Sequence, residues 1–132
     1  MVAPTDSADP MVQCVPMNRS TFEAVVDEII ESLPQWVVDT VDNLIIVVEH
    51  EPTPEQRGEH DDLLGIYEGV SLAEREDYWG AMPDQITVFY GPHLRLGLPD
   101  DELRAEIRTT VLHEIGHHLG IDDQRLHELG WA

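Results

Sequence analysis

Apolar residues recur every three or four positions after Ser20, which is the spacing of one face of an amphipathic helix. They are Phe22, Val25, Val26, Ile29, Ile30 and Leu33. Ser20 and Glu23 have the three-residue spacing of a capping box, so the helix is predicted to begin there. Pro34 stops this helix or opens a second short one, because Pro fits only the first turn of a helix.

Apolar runs rich in β-branched residues predict strands further along the chain. Leu44–Val48 is continuous, as expected of a strand buried on both faces, and is predicted to form the centre of a sheet. Ile86–Tyr90 predicts a second strand, and Leu63–Val70, interrupted by glycine, predicts a shorter or bulged one. Residues 50–62 and 71–84 are mostly polar and are predicted to be connections.

The last third of the chain predicts one long helix and one short helix. Pro99 and the carboxylates after it suit a helix start, since negative charge is favoured at the positive end of the helix dipole. The apolar stripe that follows is Leu103, Ile107, Val111, Leu112, Ile115 and Leu119. Gly116 costs up to about 1 kcal/mol relative to Ala within a helix and therefore indicates close packing against another element. Gly120 suits a left-handed helix end, and residues 124–129 follow as the short helix.

These elements predict an α+β fold in one domain, which suits a chain of 132 residues. Residues 1–18 have three prolines and little periodicity, and are predicted to be a flexible N-terminal tail. Residues 19–132 then form a domain in which a small mixed sheet packs on the N-terminal helix and on the long helix. Cys14 is the single cysteine, so no internal disulfide is expected.

The chain is strongly acidic, with 27 Asp and Glu residues against 7 basic residues and a formal net charge of −20. Nucleic acids and anionic membranes are excluded as partners, because both are bound through clustered basic residues. No segment approaches the roughly 20 apolar residues of a membrane helix, and the start lacks a signal-peptide pattern, so a cytoplasmic location is predicted. The charge either keeps the surface soluble or attracts cations and basic peptides to a cleft.

The chemically richest segment lies at the end of the long helix. His113 and His117 are four residues apart, so one helical turn brings both imidazoles within reach of one metal ion. Glu114 points about 100° away around the helix axis and is placed to act as a base on a metal-bound water. A chain reversal at the helix end can bring Asp122 or Asp123 back as a third ligand.

Two imidazoles, one carboxylate and an open water position describe a tetrahedral catalytic site, and nitrogen ligands favour Zn²⁺ over Mg²⁺ or Ca²⁺. His118 lies four residues after Glu114, so it either hydrogen-bonds that carboxylate or is a solvated surface histidine. Three side chains could stabilise an oxyanion, namely those of Tyr90, His93 and His127. The spacing does not select among them.

The run from His113 to Asp123 resembles the zincin metallopeptidases of the type His-Glu-x-x-His-x-x-Gly-x-x-Asp. More widely, the region from about Ser20 to Gly130 is similar to a family of small bacterial zincin-like proteins. The similar segments are Leu33-Pro34, Leu64-Gly65-Ile66-Tyr67, Pro83-Asp84-Gln85-Ile86 and His127-Glu128-Leu129-Gly130. The resemblance implies a minimal zincin-like domain with Zn²⁺ as cofactor.

By the same resemblance, His113, His117 and Asp123 are expected to be the zinc ligands and Glu114 the general base. Zincins also pair an extended substrate with an edge strand just upstream of the metal helix. The resemblance makes Ile86–Tyr90 the candidate for that strand, with a plain structural strand as the alternative.

Three functions fit this pattern. The favoured one is a zinc metallopeptidase that hydrolyses peptide bonds in a peptide or protein substrate through a metal-activated water. The second is a catalytically silent zinc-binding or interaction domain with a zincin fold, which is favoured by the absence of a methionine after Asp123, where metzincins have a Met-containing turn. The third is an esterase or deamidase-like hydrolase that uses the same water.

Overall fold

The computed structural model describes residues 17–59, 62–69 and 84–131. The elements are α1 (Arg19–Glu31), α2 (Gln35–Thr40), β1 (Leu44–Glu49), α3 (Pro54–Arg57), β2 (Gly65–Glu68), β3 (Asp84–Phe89), α4 (Tyr90–Arg95), α5 (Asp100–Leu119) and α6 (Asp123–Leu129). They form an α+β domain with a small mixed sheet, as predicted. Among the described helices, none has the length and apolar character to cross a membrane.

Met17, just before α1, packs against the rest of the described chain. Residues 1–16, which include Cys14 and most of the predicted tail, lie outside the described residues. Met17 is buried, and its carbonyl oxygen accepts the hydroxyl hydrogen of Tyr90 at 2.7 Å. The packed domain therefore includes Met17.

Helix α1 has its predicted apolar face but a different cap. The side-chain oxygen of Asn18 accepts the backbone N–H of Thr21 at 2.8 Å, which satisfies one of the free donors at the helix start. The predicted capping box of Ser20 and Glu23 is therefore wrong. Glu23 instead lies 3.0 Å from Arg19 in an exposed ion pair.

The sheet has the strand order β1-β3-β2, with β3 parallel to β1 and antiparallel to β2. The prediction that Leu44–Val48 forms the sheet centre is wrong, since β3 lies between the other two described strands. The same finding rules out Ile86–Tyr90 as a substrate-pairing edge strand. Ile45 of β1 is 43% exposed, whereas Val88 and Phe89 of β3 are fully buried. A β-branched run indicates a strand but does not rank strands within a sheet.

Helix α5 is the central packing element. It contacts β2, β3, α1 and α4. Its buried apolar residues are Leu103, Ile107, Val111, Leu112 and Ile115. A Cβ atom on Gly116 would overlap Leu126 Cδ2, so α6 packs directly against the α5 backbone, as the mid-helix glycine predicted. Gly120 ends α5 with a φ of 82°, in the predicted left-handed conformation.

Two short helices were not predicted. The connection after β1 contains α3, which Thr53 and Gln56 cap reciprocally. Helix α4 follows β3 directly. Pro92 does not break this helix, because it lies in the first turn, where proline is tolerated. Arg95 of α4 lies 2.8 Å from Glu51 and 3.0 Å from Asp62, and so ties the connection between β1 and β2 to α4.

Candidate metal centre

The last turns of α5 place three of the predicted site residues together. One nitrogen of His113, one nitrogen of His117 and one carboxylate oxygen of Glu114 all lie within 4.8 Å of one another. The two imidazole rings have centroids 4.6 Å apart and are nearly perpendicular. This follows from the four-residue spacing, since one turn of helix separates the two histidines.

His113 is oriented by the end of the described chain. Its Nδ1 lies 3.0 Å from the carbonyl oxygen of Trp131. A carbonyl only accepts hydrogen bonds, so Nδ1 carries the hydrogen and donates it. In the neutral ring, Nε2 then keeps its lone pair. A histidine that donates one N–H to a carbonyl while its other nitrogen is free has the usual arrangement of a metal ligand.

His117 is oriented by Glu114. The Nδ1–H of His117 donates to Glu114 Oε1 at 3.1 Å. This hydrogen bond raises the pKa of His117, partial burial opposes it, and the negative charges of Glu114 and Asp123 add to the rise. A bound cation must displace a proton from any protonated histidine, so this environment couples metal binding to pH.

The reversal after α5 separates the roles of the two consecutive aspartates. The Asp122 carboxylate accepts the backbone N–H of Arg125 at 2.8 Å and caps α6. Asp123 is the first residue of α6, and its Oδ1 lies 3.7 Å from His117 Nε2. Asp123 is therefore not the cap of α6. Its side chain is 90% exposed and turned towards the histidine.

The types of donor present suit a zinc ion, which binds imidazole nitrogens and carboxylate oxygens. Ligands of a tetrahedral zinc lie about 2.0–2.2 Å from the metal and so roughly 3.4 Å from one another, close to the 3.7 Å between His117 Nε2 and Asp123 Oδ1. Two carboxylates compete for the third position, since Glu114 is closer to both histidines. Its oxygen is hydrogen-bonded to Nδ1 of His117, whereas Asp123 faces Nε2. The two carboxylates thus lie against different nitrogens of the His117 ring.

His118 differs from both of its predicted roles. It is fully buried, donates from Nδ1 to Asp84 Oδ2 at 3.0 Å, and accepts the backbone N–H of Asp42 at Nε2, 3.2 Å away. Asp84 also accepts the hydroxyl hydrogen of Tyr67. His118 is therefore neither solvated nor bonded to Glu114. It connects the end of α5 to the start of β3, and both its ring nitrogens are engaged.

The three candidates for oxyanion stabilisation differ in their exposure and in their hydrogen-bond partners. Tyr90 donates its hydroxyl to Met17, and His127 is exposed on α6. His93 is fully buried, with Nδ1 at 2.8 Å from the Phe89 carbonyl and Nε2 at 3.0 Å from Thr110 Oγ1. Burial lowers the pKa of His93, and the Phe89 hydrogen bond only partly opposes it. A neutral, enclosed His93 is suited to holding Thr110 in place.

A cleft of about 290 Å³ runs beside the site between α5 and the start of β2. Its walls include His113 and Glu114, so the two predicted chemical groups open into it. A Cβ atom on Gly65 would lie 2.7 Å from Thr110 Cγ2. Glycine thus lets the strand approach the helix closely, and this approach sets the width of the cleft.

The fold and the site together define a small α+β domain with a two-histidine group on one helix that can hold a metal ion. The chain also matches a family model described as zincin-like metallopeptidase over residues 41–131. It belongs to this family. Helices α1 and α2 precede the matched residues.

Among solved structures, a conserved hypothetical protein from Thermo thermophilus has a similar fold, with a TM-score of 0.55. The two chains are 23% identical, and the match covers 78% of this chain and 94% of the other. No curated protein matches the chain.

Sequence reasoning missed several groups that support the site. The Trp131 carbonyl is a backbone atom, and any residue type at that position would supply it. Asp84 gave a weak signal, because an aspartate at the start of an apolar strand is unusual. Tyr67 lies in a segment that resembles the family, but nothing in the sequence gave it a role, since tyrosine is common in strands.

Proposed function

We propose that the protein is a zinc-dependent metallopeptidase that hydrolyses peptide bonds. The observation that carries the proposal is the placement of His113 and His117, each with its Nδ1–H engaged, beside Glu114 at a cleft. We assign the zinc ligands to His113, His117 and Asp123. When bound, the ion supplies Lewis-acid chemistry, which polarises a carbonyl and makes a water acidic near neutral pH.

Glu114 acts as the general base in this proposal. Glu114 is 8% exposed, and its hydrogen bond to His117 holds it beside the histidine pair. It accepts a proton from the water that attacks the peptide carbonyl, and then donates that proton to the leaving amine. The C–N bond breaks, and a carboxylic acid and an amine result.

The substrate lies in the cleft between α5 and β2 in this proposal. Leu63, Leu64 and Gly65 line the side opposite His113 and Glu114. In the described part of the chain, β2 pairs with β3 on one side only, so an extended peptide can add to its other side through main-chain hydrogen bonds. This strand takes the role that the sequence gave to Ile86–Tyr90.

The decisive variant is Glu114→Gln, tested on the zinc-loaded protein with a fluorogenic peptide library. The amide has nearly the shape of the carboxylate but cannot accept a proton, so we expect hydrolysis to fall by at least about 100-fold. Zinc content, measured by elemental analysis, should stay at about one ion per chain. Glu106→Gln, which changes another carboxylate of the same cleft, is the matched control and should keep most activity.

Other outcomes would point to other functions. A wild-type protein that binds zinc and cleaves no peptide or ester would be a silent zinc-binding domain. Cleavage of esters or side-chain amides alone would indicate the other hydrolase class. Loss of zinc from a folded Glu114→Gln protein would mean that Glu114 is a ligand and that the assignment of Asp123 is wrong.

A further inference from the structure

We propose that Trp36 and the ring of Trp131 position His113 for the metal. In this role neither indole touches the metal or the substrate. Both hold in place the backbone carbonyl that accepts the Nδ1–H of His113. The inference rests on His113 being a metal ligand, and it does not require that the protein cleave peptides.

The two indoles form a parallel stack. Their ring centroids lie 5.8 Å apart and their planes differ by 8°. Trp131 is 8% exposed, and its backbone N–H donates to the Leu126 carbonyl at 2.8 Å. Gly130, just before it, ends α6 with a φ of 79°. The last described residue is thus fixed by its N–H on one side and by its ring on the other.

The ring contact matters because Trp131 follows a helix end. One backbone hydrogen bond restrains the N–H but leaves the peptide that carries the carbonyl free to rotate, as is usual near helix ends. Stacking against Trp36 adds a second restraint on the same residue. The carbonyl then stays 3.0 Å from His113 Nδ1 and keeps the hydrogen on that nitrogen.

Packing of the core does not explain Trp36. Helix α2 has six residues and buries Val37, whereas Trp36 is 48% exposed. In the described part of the chain, the aromatic ring that Trp36 contacts is that of Trp131. Trp36 also precedes residue 41, where the family match begins. Its position is explained if α2 supports the metal centre through Trp131, whose ring Trp36 stacks on and whose carbonyl holds His113.

The test compares zinc affinities by competition with a chromophoric chelator. Trp36→Ala should weaken zinc binding about tenfold, the lower end of losses from outer-shell partners of ligands. Trp36→Phe keeps a flat ring and should restore most of the affinity. Val38→Ala is the matched control, because Val38 is 52% exposed on the same helix and is not part of the stack. It should bind zinc like the wild type.

A second measurement needs no metal. In the ¹⁵N NMR spectrum of the zinc-free protein at alkaline pH, His113 should show a protonated Nδ1 and an unprotonated Nε2. Trp36→Ala should shift this ring towards a mixture of the two tautomers, and Val38→Ala should not. If the wild type does not bind zinc, the proposed function and this inference both fail; if it binds zinc but cleaves no peptide, only the proposed function fails.

Several results would overturn the inference. One is normal zinc affinity in Trp36→Ala together with an unchanged His113 tautomer. Another is equal weakening in Val38→Ala, which would show that α2 acts only through general stability. A third comes from a comparison of Trp36→Ala, Trp131→Ala and the variant with both changes. If the losses of zinc-binding free energy in the two single variants add up to the loss in the double variant, the two residues do not act through one another. Wild-type zinc binding without hydrolysis would leave the inference standing.

Discussion

Two neighbouring residues of the same type have different partners at the end of α5. Asp122 caps α6 through the N–H of Arg125, and Asp123 faces Nε2 of His117. From sequence, either aspartate could have taken either role, because both lie within the turn and both types of contact need only a carboxylate. Helix α6 begins at Asp123, and the cap of a helix is the residue before its first turn. Asp122 is therefore the cap, and Asp123 is left to face His117.

Asp123→Asn should therefore weaken zinc binding at least tenfold, because it removes a charged ligand. The thermal stability of the zinc-free protein should stay near that of the wild type, since Asp123 makes no capping bond. Asp122→Asn is the matched control, because asparagine caps helices about as well as aspartate. Zinc titration of both variants decides the assignment. Normal zinc binding in Asp123→Asn and a loss in Asp122→Asn would move the ligand by one residue.

His118 shows why local sequence is insufficient for single residues. Four-residue spacing predicted either a hydrogen bond to Glu114 or a solvated ring, but the ring is buried at the start of β3 and donates to Asp84. That partner is 34 residues away in sequence, so helix periodicity contains no information about it. The closeness of His113 and His117 was easier to predict, because both lie on the same helix, one turn apart.

Elements were predicted better than their arrangement. The long helix, its glycine cap and the three strands all follow from hydrophobic period and turn residues. The strand order does not, since β1 has the more apolar sequence and yet the pairing puts β3 between the others. Helix α4 was missed because Gly91 and Pro92 normally mark a break, yet both also fit the first turn of a helix.

The contact between α5 and α6 sets where Asp123 lies relative to His117. Gly116→Ala tests it, since the added methyl would overlap Leu126 Cδ2. Alanine favours a helix by up to about 1 kcal/mol over glycine, whereas overpacking costs about 1–3 kcal/mol. Leu126 is fully buried and cannot swing into solvent, so we expect overpacking to dominate.

Thermal denaturation should then show Gly116→Ala to be less stable than the wild type by about 1–2 kcal/mol, with weaker zinc binding as α6 shifts. Leu126→Ala alone should also be destabilised, because it leaves a cavity. The double variant should recover part of both losses, as the methyl fills the space that the leucine vacates. Equal or greater stability in Gly116→Ala would show that the two helices can move apart at little cost.

At the scale of the whole molecule, the formal charge of −20 is the strongest long-range property. A field of this sign concentrates cations around the protein and slows the approach of anionic molecules. Local carboxylates add to it at the cleft, where Asp62 and Glu106 lie on the walls with the proposed base. The charge of Asp62 is partly neutralised by Arg95, so the charge of Glu106 contributes more to the field in the cleft.

We therefore expect positively charged peptides to be preferred and the preference to depend on salt. Between 0.01 and 0.1 M salt the screening length falls from about 30 to about 10 Å. Over this interval kcat/KM for a lysine-rich peptide should drop several-fold, while a neutral peptide of the same length should change little. Binding of both peptides to Glu114→Gln, measured by fluorescence anisotropy, provides the same comparison without turnover.

Glu106→Gln should reduce the preference for the basic peptide, because it removes a charge on the cleft wall. If both peptides respond equally to salt, the acidic surface maintains solubility and does not select substrates.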